Sequence, residues 1–111
     1  MIKMTKQEFE NKLYNKSFSE DELENLLWFN FQCTDGELNL QEVDEIKDAY
    51  LDRWTRPASL IFIYNNEFFE IDYDEGLTEL QENCNFSQPY KVQKIEKQIT
   101  ITEWEEIKDA N

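Results

Sequence analysis

Three carboxylates occupy alternate positions of one short segment. Among the side chains that could carry chemistry, theirs is the clearest pattern in the sequence. They belong to Glu70, Asp72 and Asp74. Alternate residues of a β-strand share one face, so successive carboxylates would stand about 6.6–6.8 Å apart. That distance is close to twice the rise of about 3.4 Å between phosphates along one strand of duplex DNA. The spacing predicts an array that mimics a nucleic-acid backbone, or else the ordinary polar outer face of a half-exposed sheet.

Residues around this array complete a predicted partner-binding set. Further carboxylates flank it, and the only Arg-bearing segment of the chain precedes it. Trp and Arg are the side chains most enriched in binding hot spots. The alternative for Trp54 is a place in the core, with both arginines pairing with nearby carboxylates. The predicted partner-binding residues are Glu67, Glu70, Asp72, Asp74, Glu75, Glu79, Arg53, Trp54 and Arg56.

Residues that usually carry enzyme chemistry are scarce. The chain has no histidine, so neither a serine nor Cys33 or Cys84 has an imidazole base. Carboxylate pairs can perform acid–base catalysis, but 25 acidic residues make chance neighbours common. Gly36 and Gly76 are isolated, so there is no glycine-rich phosphate loop. We therefore expect a protein that is not an enzyme, with no catalytic residues and no cofactor.

Two acidic turns can be tested as calcium-binding loops, and both fail. If Asp72 is position 1 of a twelve-residue loop, position 12 is Asn83, where a bidentate Glu is required. If Phe31 is position 1, Cys33 is position 3, and neither side chain supplies an oxygen ligand. We expect no metal site.

Net charge excludes several classes of partner. Lys and Arg number 11 and Asp and Glu number 25, so the net charge of the 111 residues is −14. Such a chain repels DNA, RNA and anionic lipid, and it attracts basic surfaces such as the channels of nucleic-acid enzymes. The expected partner is therefore a basic protein surface, without direct contact to nucleic acid or membrane. The oligomeric state is left open.

Composition predicts one folded domain over residues 1–111. Hydrophobic residues make up 40% of the chain, with 8 Phe, 5 Tyr and 3 Trp, while two Gly and two Pro mark no linker. No apolar run approaches the about 20 residues of a membrane span, and residues 1–10 lack the apolar stretch of a signal peptide. We expect a cytoplasmic protein. Cys33 and Cys84 are expected to be reduced thiols, with a single disulfide as the alternative.

Capping signals predict helices in the first half of the chain. Thr5 followed by Glu8 forms a capping box, and the spacing of the apolar residues behind it predicts a helix over residues 5–15. A second box begins at Ser19. The segment after it, residues 28–31, is open to continuing the helix or to forming a strand. A third helix is predicted to begin after Asn39 and to end near Arg53, because its apolar residues recur at helical spacing.

Alternation of apolar and polar residues predicts strands in the second half of the chain. Residues 60–64 and 68–74 read as a hairpin around a two-residue turn, Asn65-Asn66, and residues 90–102 read as a third, long strand. The expected core face of the hairpin comprises Leu60, Phe62, Phe69, Ile71 and Tyr73. The lysines of the last strand, Lys91, Lys94 and Lys97, would protect an exposed sheet edge. The predicted fold class is α+β, with about three N-terminal helices packed on a C-terminal three-stranded antiparallel sheet.

Residues 53–61, 68–82 and 100–104 resemble small acidic proteins encoded by phages and mobile elements of low-GC Gram-positive bacteria. The small acidic chain is also similar in style to phage anti-defence proteins, including anti-CRISPR inhibitors. The resemblance implies a non-enzymatic protein that inhibits a host nucleic-acid-handling defence protein, of anti-CRISPR or anti-restriction type, in the bacterial cytoplasm. The alternatives are a self-associating assembly protein of a phage or mobile element, and an acidic regulator of a host protein without DNA mimicry.

Overall fold

Two α-helices and six β-strands form the part of the chain that the structure, a computed structural model, describes: residues 2–47, 54–78, 81–98 and 100–107. In chain order the elements are β1 (Ile2–Met4), α1 (Lys6–Asn15), α2 (Glu20–Leu27), β2 (Phe31–Cys33), β3 (Gln41–Lys47), β4 (Thr55–Tyr64), β5 (Glu67–Gly76) and β6 (Tyr90–Val92). Strands β1 and β2 pair in parallel, and the other four form an antiparallel sheet in the order β3-β4-β5-β6.

Both helices begin where their capping boxes predict. The hydroxyls of Thr5 and Ser19 each accept a hydrogen bond of 3.1 Å, from the backbone N–H of Glu8 and Glu22 respectively. Each of these glutamates in turn accepts a hydrogen bond from the backbone N–H of its capping residue. Glu22 also joins the two helices, because the ammonium of Lys12 lies 2.8 Å from its carboxylate. Helix α2 ends at Leu27, and residues 31–33 leave it as a strand, which settles the open choice there.

The β4–β5 hairpin has the predicted turn and register. Asn65 and Asn66 adopt left-handed backbone conformations, with φ of 53° and 61°, as a two-residue hairpin turn requires. Phe62 pairs with Phe69 and Tyr64 pairs with Glu67 across the strands. The expected core face is buried throughout. Because β-strand side chains alternate, the carboxylates of Glu70, Asp72 and Asp74 stand on the outer face.

The core lies between this hairpin face and the two helices. Phe62 and Phe69 stack with ring centroids 5.6 Å apart, and Phe9 of α1 meets Tyr64 at 5.2 Å. Burial of large apolar side chains is worth about 1.5–3 kcal/mol each, so this layer dominates the stability of the fold. The buried cluster consists of Met4, Phe9, Leu13, Phe18, Leu23, Leu26, Phe62, Tyr64, Phe69 and Ile71.

The predicted third helix is wrong where the structure describes it. Residues 41–47 form strand β3, which pairs with β4, while residues 48–53 lie outside the described residues. A bulge between Glu42 and Asp44 interrupts the alternation of this strand. Its apolar residues Val43 and Ile46 stand three positions apart, a spacing that also suits a helix. Val43 and Ile46 are 48% and 49% exposed, so the apparent stripe is not a buried helix face.

The predicted long third strand is also wrong, because β6 spans only Tyr90–Val92. Val92 pairs with Phe68, and β5 begins at Glu67. Because the strands run antiparallel, at most one further residue of β5 is available to pair beyond Val92. Residues 93–98 and 100–102 carry no strand. The predicted architecture of about three helices on a three-stranded sheet is therefore corrected, within the described residues, to two helices, a four-stranded antiparallel sheet and a parallel pair of strands.

The connection between β5 and β6 follows the edge of β5. Cys84 and Asp74 exchange two backbone hydrogen bonds, of 2.8 and 2.9 Å. The N–H of Gly76 donates to Oδ1 of Asn83 at 2.9 Å. In this connection residues 79 and 80 lie outside the described residues, and residues 81 and 82 are not helical. The connection is held on the sheet by these hydrogen bonds.

We expect Gly76→Ala to destabilise the fold, because a β-carbon there would collide with the backbone carbonyl of Gln81. Overpacking of this kind costs about 1–3 kcal/mol. The measurement is the free energy of unfolding from urea titration, with Thr78→Ala, an exposed change in the same connection, as the control. Equal midpoints for the two variants would contradict the close packing of the connection on β5.

Candidate acidic binding surface

Two carboxylates of the predicted array, on Glu70 and Asp72, share a hydroxyl from the neighbouring strand. The hydroxyl of Tyr90 donates to Oδ2 of Asp72 at 2.7 Å and also contacts the carboxylate of Glu70. Ser59 donates to the other oxygen of Asp72, again at 2.7 Å. A tyrosine hydroxyl has one hydrogen, so Tyr90 cannot donate a full hydrogen bond to both carboxylates of this trio, Glu70, Asp72 and Tyr90, at the same time.

The two carboxylates of this trio differ in how readily they ionise. Burial raises the pKa of Glu70, and its hydrogen bond with Asp72 raises it further. Burial also opposes ionisation of Asp72, but hydrogen bonds with Glu70, Ser59 and Tyr90 outweigh it and lower the pKa of Asp72. Burial and the two carboxylates raise the pKa of Tyr90 strongly, so its hydroxyl stays protonated as a donor. Glu70 is therefore the weaker acid of the two carboxylates and takes up a proton at a higher pH than Asp72 does.

Three further carboxylates of the predicted set also have partners in the chain. Asp74 accepts a hydrogen bond of 2.7 Å from the amide of Asn85. Glu75 lies 2.9 Å from the ammonium of Lys47 and 3.2 Å from the guanidinium of Arg56. Burial opposes ionisation of Glu75, but these two cations outweigh it and lower its pKa. Glu67 pairs with Lys91 at 3.4 Å and accepts a hydrogen bond of 3.2 Å from Tyr14.

The structure describes only residues 54–56 of the predicted Arg-bearing segment. Trp54 is 72% exposed, so the alternative that put it in the core is wrong. Arg56 pairs with Glu75, as that same alternative expected of the arginines. Arg53 and Glu79 lie outside the described residues. Trp54 therefore stays a candidate contact residue, while the charge of Arg56 is already engaged within the chain.

A second acidic feature, which the sequence reasoning missed, is a groove between α2 and the β5–β6 connection. We call it the α2 groove, and its volume is about 630 Å³. The exposed carboxylates of Glu20, Asp21 and Glu82 line it together with the half-buried Glu24. Within the described part of the chain, Oε2 of Glu24 is a buried oxygen without a hydrogen-bond partner. The remaining lining residues are Gln81, Asn83 and Phe86.

Asn83 and Phe86 hold the two walls of the α2 groove in place. The amide of Asn83 accepts from Gly76 on β5 and donates at 3.4 Å to Oε1 of Glu24 on α2. Phe86 stacks on Tyr73 with ring centroids 5.9 Å apart and an interplanar angle of 15°. The groove thus combines several carboxylates with one aromatic wall, an arrangement suited to a Lys or Arg side chain of another protein.

No local pattern in the sequence could have identified the α2 groove. The acidic residues in the first turn of α2 interact favourably with the positive end of the helix dipole, so in the sequence they do not indicate a binding site. Its opposite wall lies about sixty residues further along the chain and is positioned by the single amide of Asn83. The carboxylates of β5 were visible because they are neighbours in sequence, whereas those of the groove meet only in the folded chain.

The two cysteines are not joined to each other. Cys33 and Cys84 are free thiols, and the thiol of Cys33 donates to Oδ1 of Asp35 at 2.9 Å. Among the described residues, no three His, Cys, Asp or Glu side chains are grouped so that they could hold a metal ion. In the same part of the chain, neither helix has the length and apolar character needed to cross a membrane.

Comparison of the chain with protein-family models, with curated proteins and with solved structures finds no match.

We expect Glu70→Gln to stabilise the protein at neutral pH. The folded state holds the Glu70 proton more tightly than the unfolded state does, so the contribution of Glu70 to stability is present in acid. It is lost as pH rises above the ordinary value of 4.5 and through the raised pKa. The glutamine variant avoids that loss. The gain in the free energy of unfolding should be about 1 kcal/mol or less, because solvent screens the site.

The measurement is the unfolding midpoint as a function of pH, with Glu96→Gln, whose parent side chain is 84% exposed, as the control. The gain of Glu70→Gln should shrink as pH falls through the ordinary glutamate range. A gain of the same size in acid would contradict the raised pKa of Glu70.

Proposed function

We propose that this chain is a non-enzymatic protein of a phage or mobile element that binds a basic surface on a host nucleic-acid-handling protein in the bacterial cytoplasm and inhibits it. A defence protein of CRISPR or restriction type is the target class. The net charge of −14 supports a basic partner. The assignment to phages and mobile elements rests on the resemblance of residues 53–61, 68–82 and 100–104.

The observation that carries this proposal is the α2 groove. A lysine or arginine that entered it would meet the carboxylates of Glu20, Asp21 and Glu82, which the solvent now hydrates. The unpartnered oxygen of Glu24 would gain a donor. Phe86 would cover the apolar stem of the cation or the plane of a guanidinium. Such contacts accelerate encounter between oppositely charged surfaces and weaken as salt is added.

The internal partners of the β5 carboxylates favour one version of this proposal. Tyr90 holds Glu70 and Asp72, and Lys47 and Arg56 engage Glu75, so little of the array on β5 is free to imitate regularly spaced phosphates. The α2 groove has no such regular spacing. An acidic inhibitor or regulator that recognises individual cations, without strict mimicry of a DNA backbone, is therefore favoured. The β5 carboxylates are the secondary candidates for contact.

We expect charge reversal in the α2 groove to abolish capture of the target. The variant is Asp21→Lys with Glu82→Lys, both exposed, and the matched control is Glu37→Lys with Glu42→Lys, which changes the net charge equally. Losing desolvated charge pairs of this kind typically costs about 2–5 kcal/mol, so affinity should fall at least tenfold in the groove variant alone.

The measurement is affinity capture from a low-GC Gram-positive host lysate at low and high salt, with bound proteins identified by mass spectrometry. Capture of a nucleic-acid-handling protein that high salt and DNA both displace would support the proposal. Equal capture by the groove and control variants would contradict the groove. A partner that binds the chain and DNA together would contradict inhibition by blocking and support the regulator.

A further inference from the structure

Another cleft lies at the C-terminal end of α2, on the side of the sheet that carries the core. We call it the Trp28 cleft, and its volume is about 240 Å³. Aromatic rings and carboxylates from α2 and from three strands line it together, so it exists only in the folded chain. Its principal lining residues are Trp28, Phe29, Glu42, Glu45, Leu60 and Tyr73.

The register of β3 explains why two carboxylates belong to this cleft. Across the antiparallel strands Glu42 pairs with Phe62, and in the same way Glu45 pairs with Leu60. Directly paired residues of neighbouring strands share one face of a sheet, and both partners on β4 are buried on the core face. The bulge after Glu42 keeps the two glutamates on that face although they stand three positions apart.

Protection of a sheet edge explains only part of this arrangement. Strand β3 is the outermost strand of the described sheet, and inward-pointing charges on such a strand discourage pairing with other chains. That protection requires no aromatic neighbour. Trp28 nevertheless lines the same cleft and is 71% exposed. An exposed tryptophan beside two carboxylates points to a ligand with both charge and apolar surface.

The backbone at the end of α2 holds the aromatic wall in place. The N–H of Trp28 donates to the carbonyl of Asn25 at 3.2 Å. Phe29 follows with a φ of 51°, a left-handed conformation that bulky residues rarely adopt. Its ring packs edge-to-face on Phe62, with ring centroids 6.4 Å apart. Trp28 is thus attached on both sides to backbone that the fold fixes.

Three features of the cleft favour a cation. The C-terminal end of a helix carries partial negative charge, and the last turn of α2 has no basic residue. The faces of aromatic rings attract cations through their quadrupole. Two glutamates add full negative charges. Glu45 lies 2.9 Å from Lys47, which Glu75 also engages, whereas Glu42 is exposed. Glu42 is therefore the carboxylate most available to a ligand.

The walls of the cleft also select among cations. A primary ammonium is strongly hydrated and needs acceptors for three N–H groups, and a guanidinium is best held by a carboxylate that accepts two parallel hydrogen bonds. A quaternary ammonium has no N–H group to satisfy. Its methyl groups can pack on Leu60 and the aromatic rings while its charge is balanced by Glu42. Most of the principal lining residues are aromatic or aliphatic, which favours this last class.

We propose that the Trp28 cleft binds the quaternary ammonium group of a small organic cation such as choline. Trp28 contacts the methyl groups from the exposed side, and Glu42 balances the charge. The aromatic rings of Phe29 and Tyr73 complete the surface that the cation meets.

This site goes beyond the proposed function, because no residue lines both the Trp28 cleft and the α2 groove. The chain with Glu37→Lys and Glu42→Lys should lose choline and still capture the target. The chain with Asp21→Lys and Glu82→Lys should do the reverse. A failure of either proposal is thus visible separately.

Titration of the full chain with choline, followed by NMR, tests the site. Backbone amide signals of Phe29 and Glu45 should shift and saturate at millimolar choline. The uncharged analogue in which carbon replaces the quaternary nitrogen keeps the shape and loses the charge, so it should bind about tenfold more weakly or worse. A blocked peptide with trimethyllysine carries the same group. Tighter binding of that peptide than of choline would overturn the assignment to a small molecule.

Matched variants make the result specific. Trp28→Leu and Glu42→Gln should each raise the dissociation constant of choline by about threefold to tenfold. Trp104→Leu and Glu37→Gln, whose parent side chains are also exposed, should leave it unchanged. The amide spectra report directly that each variant is folded. Equal binding of choline and its uncharged analogue would overturn the proposal, and so would unchanged affinity in both cleft variants.

Discussion

The buried face of the β4–β5 hairpin is the constraint on which the rest of the structure depends. Phe62 and Phe69 stack at its centre, and a two-stranded ribbon cannot bury such a face alone. Helices α1 and α2 supply the cover through residues such as Phe9 and Leu26. Their capping boxes fix where each helix begins, and so which side chains reach the sheet. The polar side chains are then left to the outer face, the strand edges and the connections.

Because the polar side chains are distributed over the outer face, the strand edges and the connections, the carboxylates differ in how available they are to bind another protein. The chain has 25 acidic and 11 basic residues, so internal ion pairs can satisfy only a minority of its carboxylates. On β5, Glu75 lies within reach of two cations and Asp72 within reach of two hydroxyls. In the α2 groove, within the described residues, no ion pair engages Glu20, Asp21, Glu24 or Glu82. Charge that is unneutralised and clustered is more available to another protein than charge that is regularly spaced but already engaged.

Local rules predict the hairpin and the two helices because their signals are local. The turn Asn65-Asn66 and the alternation on either side determine a register that needs no distant residue. The region of β3 was misread because Val43 and Ile46 stand three positions apart, which also suits a helix, and because the sequence does not reveal the bulge that interrupts the alternation of the strand. Only the open edge of β4 decides between the two structures, and that edge is far away in sequence. The α2 groove could not be predicted for the same reason, since Asn83 joins its walls only after folding.

Residues 93–102 show where local and global preferences conflict. Ile95 and Ile101 are separated by alternating positions as in a strand, yet β6 ends at Val92 because β5 extends only one residue beyond the last pair, to Glu67. A strand needs backbone groups to pair with as well as a suitable sequence. Alternation within one segment therefore predicts a strand only up to the point where the neighbouring strand ends, and here the Asn65-Asn66 turn, in a different part of the sequence, determines that point.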